Sequence, residues 1–259
     1  MANSRRWQKI IRKRMIFERK YTRKMRDALM KQLNPILRQI ERDFTSVDYN
    51  KMKPEPLIEP MIDLYVDTGS WFAGNTIEGF KGYTEAMFYK QSDEARAFER
   101  IMMTTAENLM LRLGLEITDT SRSDVKRMLQ KIINEATQLG YGVDKTAKII
   151  KDRLTTDYKR MARWKGKRIA RTEIGRAANM GTVEGAIATG KPLVKSWITG
   201  GTNIRDSHIE AEGNPANQNI PINQDFIVNG HATPYPMAAS LPPEESINCK
   251  CAVDIIELR

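Results

Sequence analysis

From Phe17 onward the apolar residues Phe17, Tyr21, Met25, Leu29, Leu33, Leu37, Ile40 and Phe44 recur by fours, with one step of three. That spacing lines one face of an α-helix, and the remaining faces are basic. Asn34-Pro35 interrupts the run. Asn34 suits an N-cap and Pro35 the first helical position, which predicts a second helix starting there. A helix with one apolar stripe needs a cover, either from the rest of the chain or from another subunit. Further on, Lys53-Pro54-Glu55-Pro56 predicts a break and Pro60 a second one. Trp71, Phe72, Phe80, Tyr83, Phe88 and Tyr89 then predict one or two helices packed through their rings. Over residues 93–139 the pattern predicts two helices. The second opens at Ser121 and Asp124, which resemble a capping box, and carries Val125, Met128, Leu129, Ile132, Ile133, Ala136 and Leu139 at helical spacing. Asp144 suits the N-cap of a further helix running to about Thr189, where Gly190 and Pro192 stop it.

After Pro192 the helical period is lost and Gly, Pro and Asn become frequent. Leu193–Ile198, Phe226–Val228 and Cys249–Ile256 read as strands. The predicted class is α+β: a mostly helical N-terminal region with a long basic helix, then a small α+β C-terminal domain with a few antiparallel strands. The expected division is a basic helical arm at 1–44, a helical region at 45–144 and the C-terminal domain at 145–259.

Charge sharpens this picture. The net charge is +10. Residues 1–43 hold 14 Lys/Arg against 4 Asp/Glu, and residues 144–173 hold 11 against 4. Two such segments point to a polyanion or an acidic protein surface, or else to solvated helix faces. The candidate contacts are Arg5, Arg6, Lys9, Arg12, Lys13, Arg14, Arg19, Lys20, Arg23 and Lys24. No apolar run reaches the length of a membrane span, and the first residues lack the apolar core of a secretory signal. The expectation is a protein without membrane association. Two cysteines one residue apart exclude a disulfide framework and fit a reducing compartment.

The chain has two histidines and two cysteines, and all four fall between 208 and 251. His208, His231, Cys249 and Cys251 match the number and type of ligands a tetrahedral zinc takes. Their spacing fits no common finger, and the alternative is a pair of small buried hydrophobes with loop histidines. A second polar cluster, Arg171-Thr172-Glu173 through Asn179, puts Thr172, Arg176 and Asn179 on one helix face. Its ion pair and amide tie down the following loops. A catalytic role would instead make Glu173 a general base near His208.

Together these residues occur in one order: Arg171-Thr172-Glu173, Asn179, Gly181, Lys195-Ser196-Trp197, Arg205-Asp206-Ser207-His208, Gly213, Phe226, Gly230, Pro236, Glu245 and Asn248-Cys249-Lys250-Cys251. Over about residues 145–255 this resembles the phage Mu F-like minor head protein family, the head morphogenesis proteins of tailed bacteriophages. The resemblance implies a minor capsid protein of a double-stranded DNA phage, structural and not an enzyme. Such a protein associates with the portal during head assembly in the host cytoplasm and resides in the virion, inside the head. The implied partners are the portal protein, the major capsid or scaffolding protein, and double-stranded DNA without sequence preference. Carried over by position, His208, Cys249 and Cys251 match the family's His and Cys. Arg171, Thr172, Glu173, Asn179, Trp197 and Arg205 match its other recurrent residues. His231 has no counterpart, and Asp206 is the available substitute as fourth zinc ligand. Two rival readings are a metal-dependent nuclease or hydrolase built on the C-terminal domain, and a free-standing DNA-binding protein of the host.

Overall fold

The computed structural model describes residues 5–81, 93–201 and 203–257. Tyr83, Phe88 and Tyr89 of the expected aromatic cluster lie outside them. Among the described residues four long helices come first: α1 (Arg5–Ile40), α2 (Glu55–Lys81), α3 (Asp93–Gln138) and α4 (Val143–Ala188). The remainder is β1 (Leu193–Ile198), α5 (Asp206–Gly213), β2 (Ile220–Pro221), β3 (Phe226–Val228), β4 (His231–Thr233), a single turn α6 (Pro243–Ser246) and β5 (Ala252–Glu257). The class is α+β, as the hydrophobic pattern predicts. Among the described residues no helix is long and apolar enough to cross a membrane.

Several expected breaks do not occur. Pro35 lies inside α1 and Pro60 inside α2. An interior proline removes one backbone hydrogen bond and costs about 3 kcal/mol. Around Pro35 that cost is offset by Leu33, Ile36 and Ile40, all at most 1% exposed. Ser121 does not open a helix. It sits within α3, buried, and its Oγ donates to the Ile117 carbonyl 2.7 Å away, a bond four residues back along the same helix. Residues 93–138 are therefore one helix rather than two.

The chain forms two compact units that are not the consecutive segments of the expected division. One joins Tyr21–Ile62 to Glu107–Ile169. Its core holds Met25, Leu29, Leu33, Leu57, Met110, Val125, Leu129, Ile150 and Leu154. Here α1 and α4 approach so closely that a Cβ on Gly166 would lie 2.9 Å from the Arg26 backbone nitrogen. Buried polar side chains brace the same core. Gln32 donates to the Lys53 carbonyl at 2.6 Å and to Thr118 Oγ1 at 2.8 Å, and Lys165 Nζ donates to Thr120 Oγ1 and Asp124 Oδ2.

The other unit joins Met1–Lys20, Asp63–Ala106 and Ala170–Arg259. Gly181 and Gly185 of α4 face the backbone of Gly69 and Ala73 of α2 with no room for a side chain. β1 pairs antiparallel with β5 from Leu193↔Glu257 to Ile198↔Ala252, and β2 pairs with β1 at Val194↔Pro221 and Lys195↔Ile220. β3 and β4 form a separate hairpin. Its turn, Asn229-Gly230, has φ of 48° and 78°, the left-handed pair that a two-residue hairpin requires. Trp197, Phe226, Val228, Met237, Leu241 and Val253 fill the core.

Lys195 is buried in β1, where its Nζ donates to the Pro234 carbonyl at 2.7 Å and lies 4.9 Å from the Phe226 ring centre. Burial lowers its pKa from 10.5 to about 8 against the opposing pull of Asp225 and Glu184. Below that value both folded and unfolded chains hold the proton. Between about 8 and 10 the unfolded chain keeps a proton that the folded chain has released, so stability rises with pH. Lys195→Met is expected to flatten this rise, read as the denaturation midpoint against pH. Identical slopes in the two proteins would contradict it.

Candidate metal centre

His208 lies in the first turn of α5, after Arg205 in extended conformation at the N-cap. Its ring is 1% exposed and meets Trp197 edge-on, with centres 5.6 Å apart. The cysteines were expected on a strand. They sit instead in the segment just before β5, following Asn248, whose φ of 60° turns the chain. His208 Nδ1 lies 3.5 Å from Cys249 Sγ and 3.3 Å from Cys251 Sγ. The three ligand atoms all fall within 4.8 Å of one another, and all three residues are buried. These residues could hold a metal ion.

The other side of the imidazole faces a carboxylate. Nε2 lies 2.9 Å from Glu245 Oε2, a close contact rather than a well-aligned hydrogen bond. Ser207 Oγ donates to the same oxygen at 2.8 Å, and Asn229 Nδ2 donates to Oε1 at 2.9 Å. Burial pushes the Glu245 pKa up, but the bonds from Ser207 and Asn229 and the nearby His208 outweigh it, and the group stands below its usual value. An ionised carboxylate behind a histidine fixes which ring nitrogen turns to a metal and raises its basicity.

The two thiols are shifted in opposite directions. Hydrogen bonding from Cys251 lowers Cys249 against the effect of burial, and His208 adds to the lowering. The same bond, together with burial, raises Cys251. A bound dication would hold both sulfurs as thiolates, the ligand form. Two sulfurs and one imidazole nitrogen suit zinc rather than calcium or magnesium.

Arg14 stands behind the pair. The sequence places it among cations facing a partner, but it is buried, and it donates to the Cys251 carbonyl at 3.0 Å and to Asn179 Oδ1 at 2.5 Å. Burial lowers its pKa to about 10, while Cys249 and Cys251 pull the other way. A buried guanidinium here favours thiolates. The signal was available: Arg14 is seven residues from both Trp7 and Tyr21, two turns on the same face.

The other expected contacts divide. Arg5 and Arg6 belong to α1. Lys9, Arg12, Arg19 and Arg23 are exposed. Lys20 pairs with Asp67, Lys13 lies over the Trp71 ring at 4.1 Å, and Lys24 approaches the Tyr21 ring at 5.3 Å. From Trp7 on, α1 is no free arm, because it buries Trp7, Arg14, Tyr21 and Met25.

The expected fourth ligand is not in the group. His231 is exposed at the start of β4, and Asp206 is exposed too. His231 is exposed where it follows the Asn229-Gly230 turn, although it pairs with the buried Val228. Glu173 is not beside His208 as a base. It is buried, and its Oε2 accepts from Tyr65 at 2.8 Å and from Arg176 at 2.7 Å. Arg176 also donates to the Met237 carbonyl. Four further residues hold the cysteine segment. Asn179 Nδ2 donates to the Pro236 and Cys251 carbonyls, and Thr172 Oγ1 accepts from the Asn248 amide at 2.9 Å. Arg171 donates to Asn248 Oδ1 and pairs with Glu18, and Arg205 donates to the Ile247 carbonyl at 2.7 Å.

The metal group forms part of the wall of a cleft of about 230 Å³ that Arg171, Asn203, Arg205, Asn248 and Lys250 also line. Comparison with protein-family models, with curated proteins and with solved structures returns no match.

Proposed function

We propose that this chain is a structural minor head protein of a double-stranded DNA bacteriophage, acting at the portal during head assembly, with zinc on His208, Cys249 and Cys251. The observation that carries the reading is the fate of the ordered motif residues. Arg171, Thr172 and Asn179 of α4 and Arg205 before α5 all bond to the segment from Ile247 to Cys251, and Glu245 lies against the His208 ring. These contacts tie the cysteine segment to α4 and α5 and account for the motif residues structurally. Exposed Lys9, Arg12, Arg19 and Arg23 supply sequence-independent contacts to phosphates or to an acidic protein flank.

Co-expression with the portal protein of the same genome is expected to yield a complex of fixed ratio. A chain that stays apart from the portal, yet binds duplex DNA with steep salt dependence, would point to a free-standing DNA-binding protein. The second reading, a metal-dependent hydrolase, is favoured by the position of the metal group on a cleft wall. It requires zinc-dependent turnover that Cys251→Ser abolishes.

A further inference from the structure

Tetrahedral zinc takes four ligands, and this group supplies three. Among the described residues no other His, Cys, Asp or Glu joins it. Because the three ligands line the cleft, a fourth ligand would be drawn from what the cleft holds. Two thiolates and a neutral imidazole cancel the charge of a zinc ion, so the loaded centre adds no net field. The charged side chains around it then decide what the cleft attracts, and they are Arg171, Arg205 and Lys250, with no carboxylate in the lining.

These three cations differ in freedom. Arg171 is held by Glu18 and Asn248. Arg205 uses one Nη on the Ile247 carbonyl, which leaves the rest of its fork to other acceptors. Lys250, between the two cysteines, has no ion-pair partner among the described residues. Guanidinium and ammonium donors around an open metal position match a tetrahedral oxyanion better than a neutral solute.

We propose that the metal on His208, Cys249 and Cys251 keeps an exchangeable fourth position and that the cleft delivers a phosphate group to it, with Arg205 and Lys250 as its other partners. This rests on the metal-binding reading and is independent of the portal. The phosphate comes either from a small free anion or from a nucleic-acid backbone, and the two are separable.

The test uses the full chain loaded with cobalt(II), whose visible absorption reports the ligand set of the metal. Inorganic phosphate is titrated in one arm and a short duplex DNA in another, with acetate as control at equal ionic strength. Expected is a saturable spectral shift with a phosphate source and none with acetate. Arg205→Gln weakens it about tenfold, as loss of one charge-assisted bond predicts, with cobalt stoichiometry unchanged. Lys250→Gln is the second variant, and the unmodified chain alone decides the main point should either variant fold poorly. A shift with phosphate alone assigns a small anion, and a shift with DNA alone assigns a phosphodiester backbone. A cobalt spectrum that neither source alters, or that acetate alters equally, overturns the inference and leaves the metal centre standing as a closed one. Failure to retain cobalt overturns the metal reading itself.

Discussion

Glu173→Ala is expected to lower the free energy of unfolding by about 3–5 kcal/mol, the usual cost of stripping one partner from a buried ion pair. Glu173 and Arg176 are each about 5% exposed, and their contact is 2.7 Å. Arg176 is held above its ordinary pKa by Glu173 in spite of burial, and Tyr65 is pushed well up by burial and by the same carboxylate. Removing the carboxylate leaves a guanidinium in the interior without its counter-charge and a phenol without its acceptor. The pair itself contributes far less than this figure, because desolvation offsets most of its attraction. Glu173→Ala combined with Arg176→Leu should therefore lose less stability than Glu173→Ala alone, a non-additivity that chemical denaturation of the four proteins measures. A loss below about 1 kcal/mol in the single variant would mean that the carboxylate is solvated.

The second large effect concerns the metal. Zinc at a thousandfold excess over its dissociation constant stabilises the folded chain by about 4 kcal/mol if the unfolded chain does not bind it. Chelation should lower the melting temperature correspondingly, and Cys249→Ser or Cys251→Ser should remove both the metal and its contribution. Elemental analysis should find one zinc per chain, undiminished in His231→Ala. Because thiolate is the ligand form, affinity falls as pH is lowered. Zinc lost from His231→Ala would return that histidine to the ligand set and break the triad assignment.

Part of this architecture is legible in the sequence for simple reasons. Helical period is a local property, so the helical character of the first part of the chain and the strand at Leu193–Ile198 can be read from spacing, though the number of helices cannot. The errors arise where tertiary burial overrides a local signal. Pro35 and Ser121 each carry a boundary signal, yet each lies inside a helix whose flanking side chains are covered. Three of the four expected ligands converge because chemistry, not spacing, identified them. His231 was included on residue type alone, and it stands exposed beside the hairpin turn. Arg14 shows the converse. Its charge assigned it to the surface, although its register assigned it to the covered face. The cleft was not legible at all, since Arg171, Arg205 and Lys250 meet only through the folds between them.

The interleaving of the two units along the chain has a consequence for synthesis. Tyr21–Ile62 and Glu107–Ile169 have both left the ribosome while much of Ala170–Arg259 is still to be made. That unit can form first, whereas the other must hold its opening helical turns unsatisfied until residues past 250 arrive. Arg14 then meets the Cys251 carbonyl across 237 positions of sequence. Contacts of such separation are slow to find, so the metal group is among the last parts of the protein to mature, and chains halted before Cys249 should be left with an exposed α1 face open to proteolysis or to chaperones.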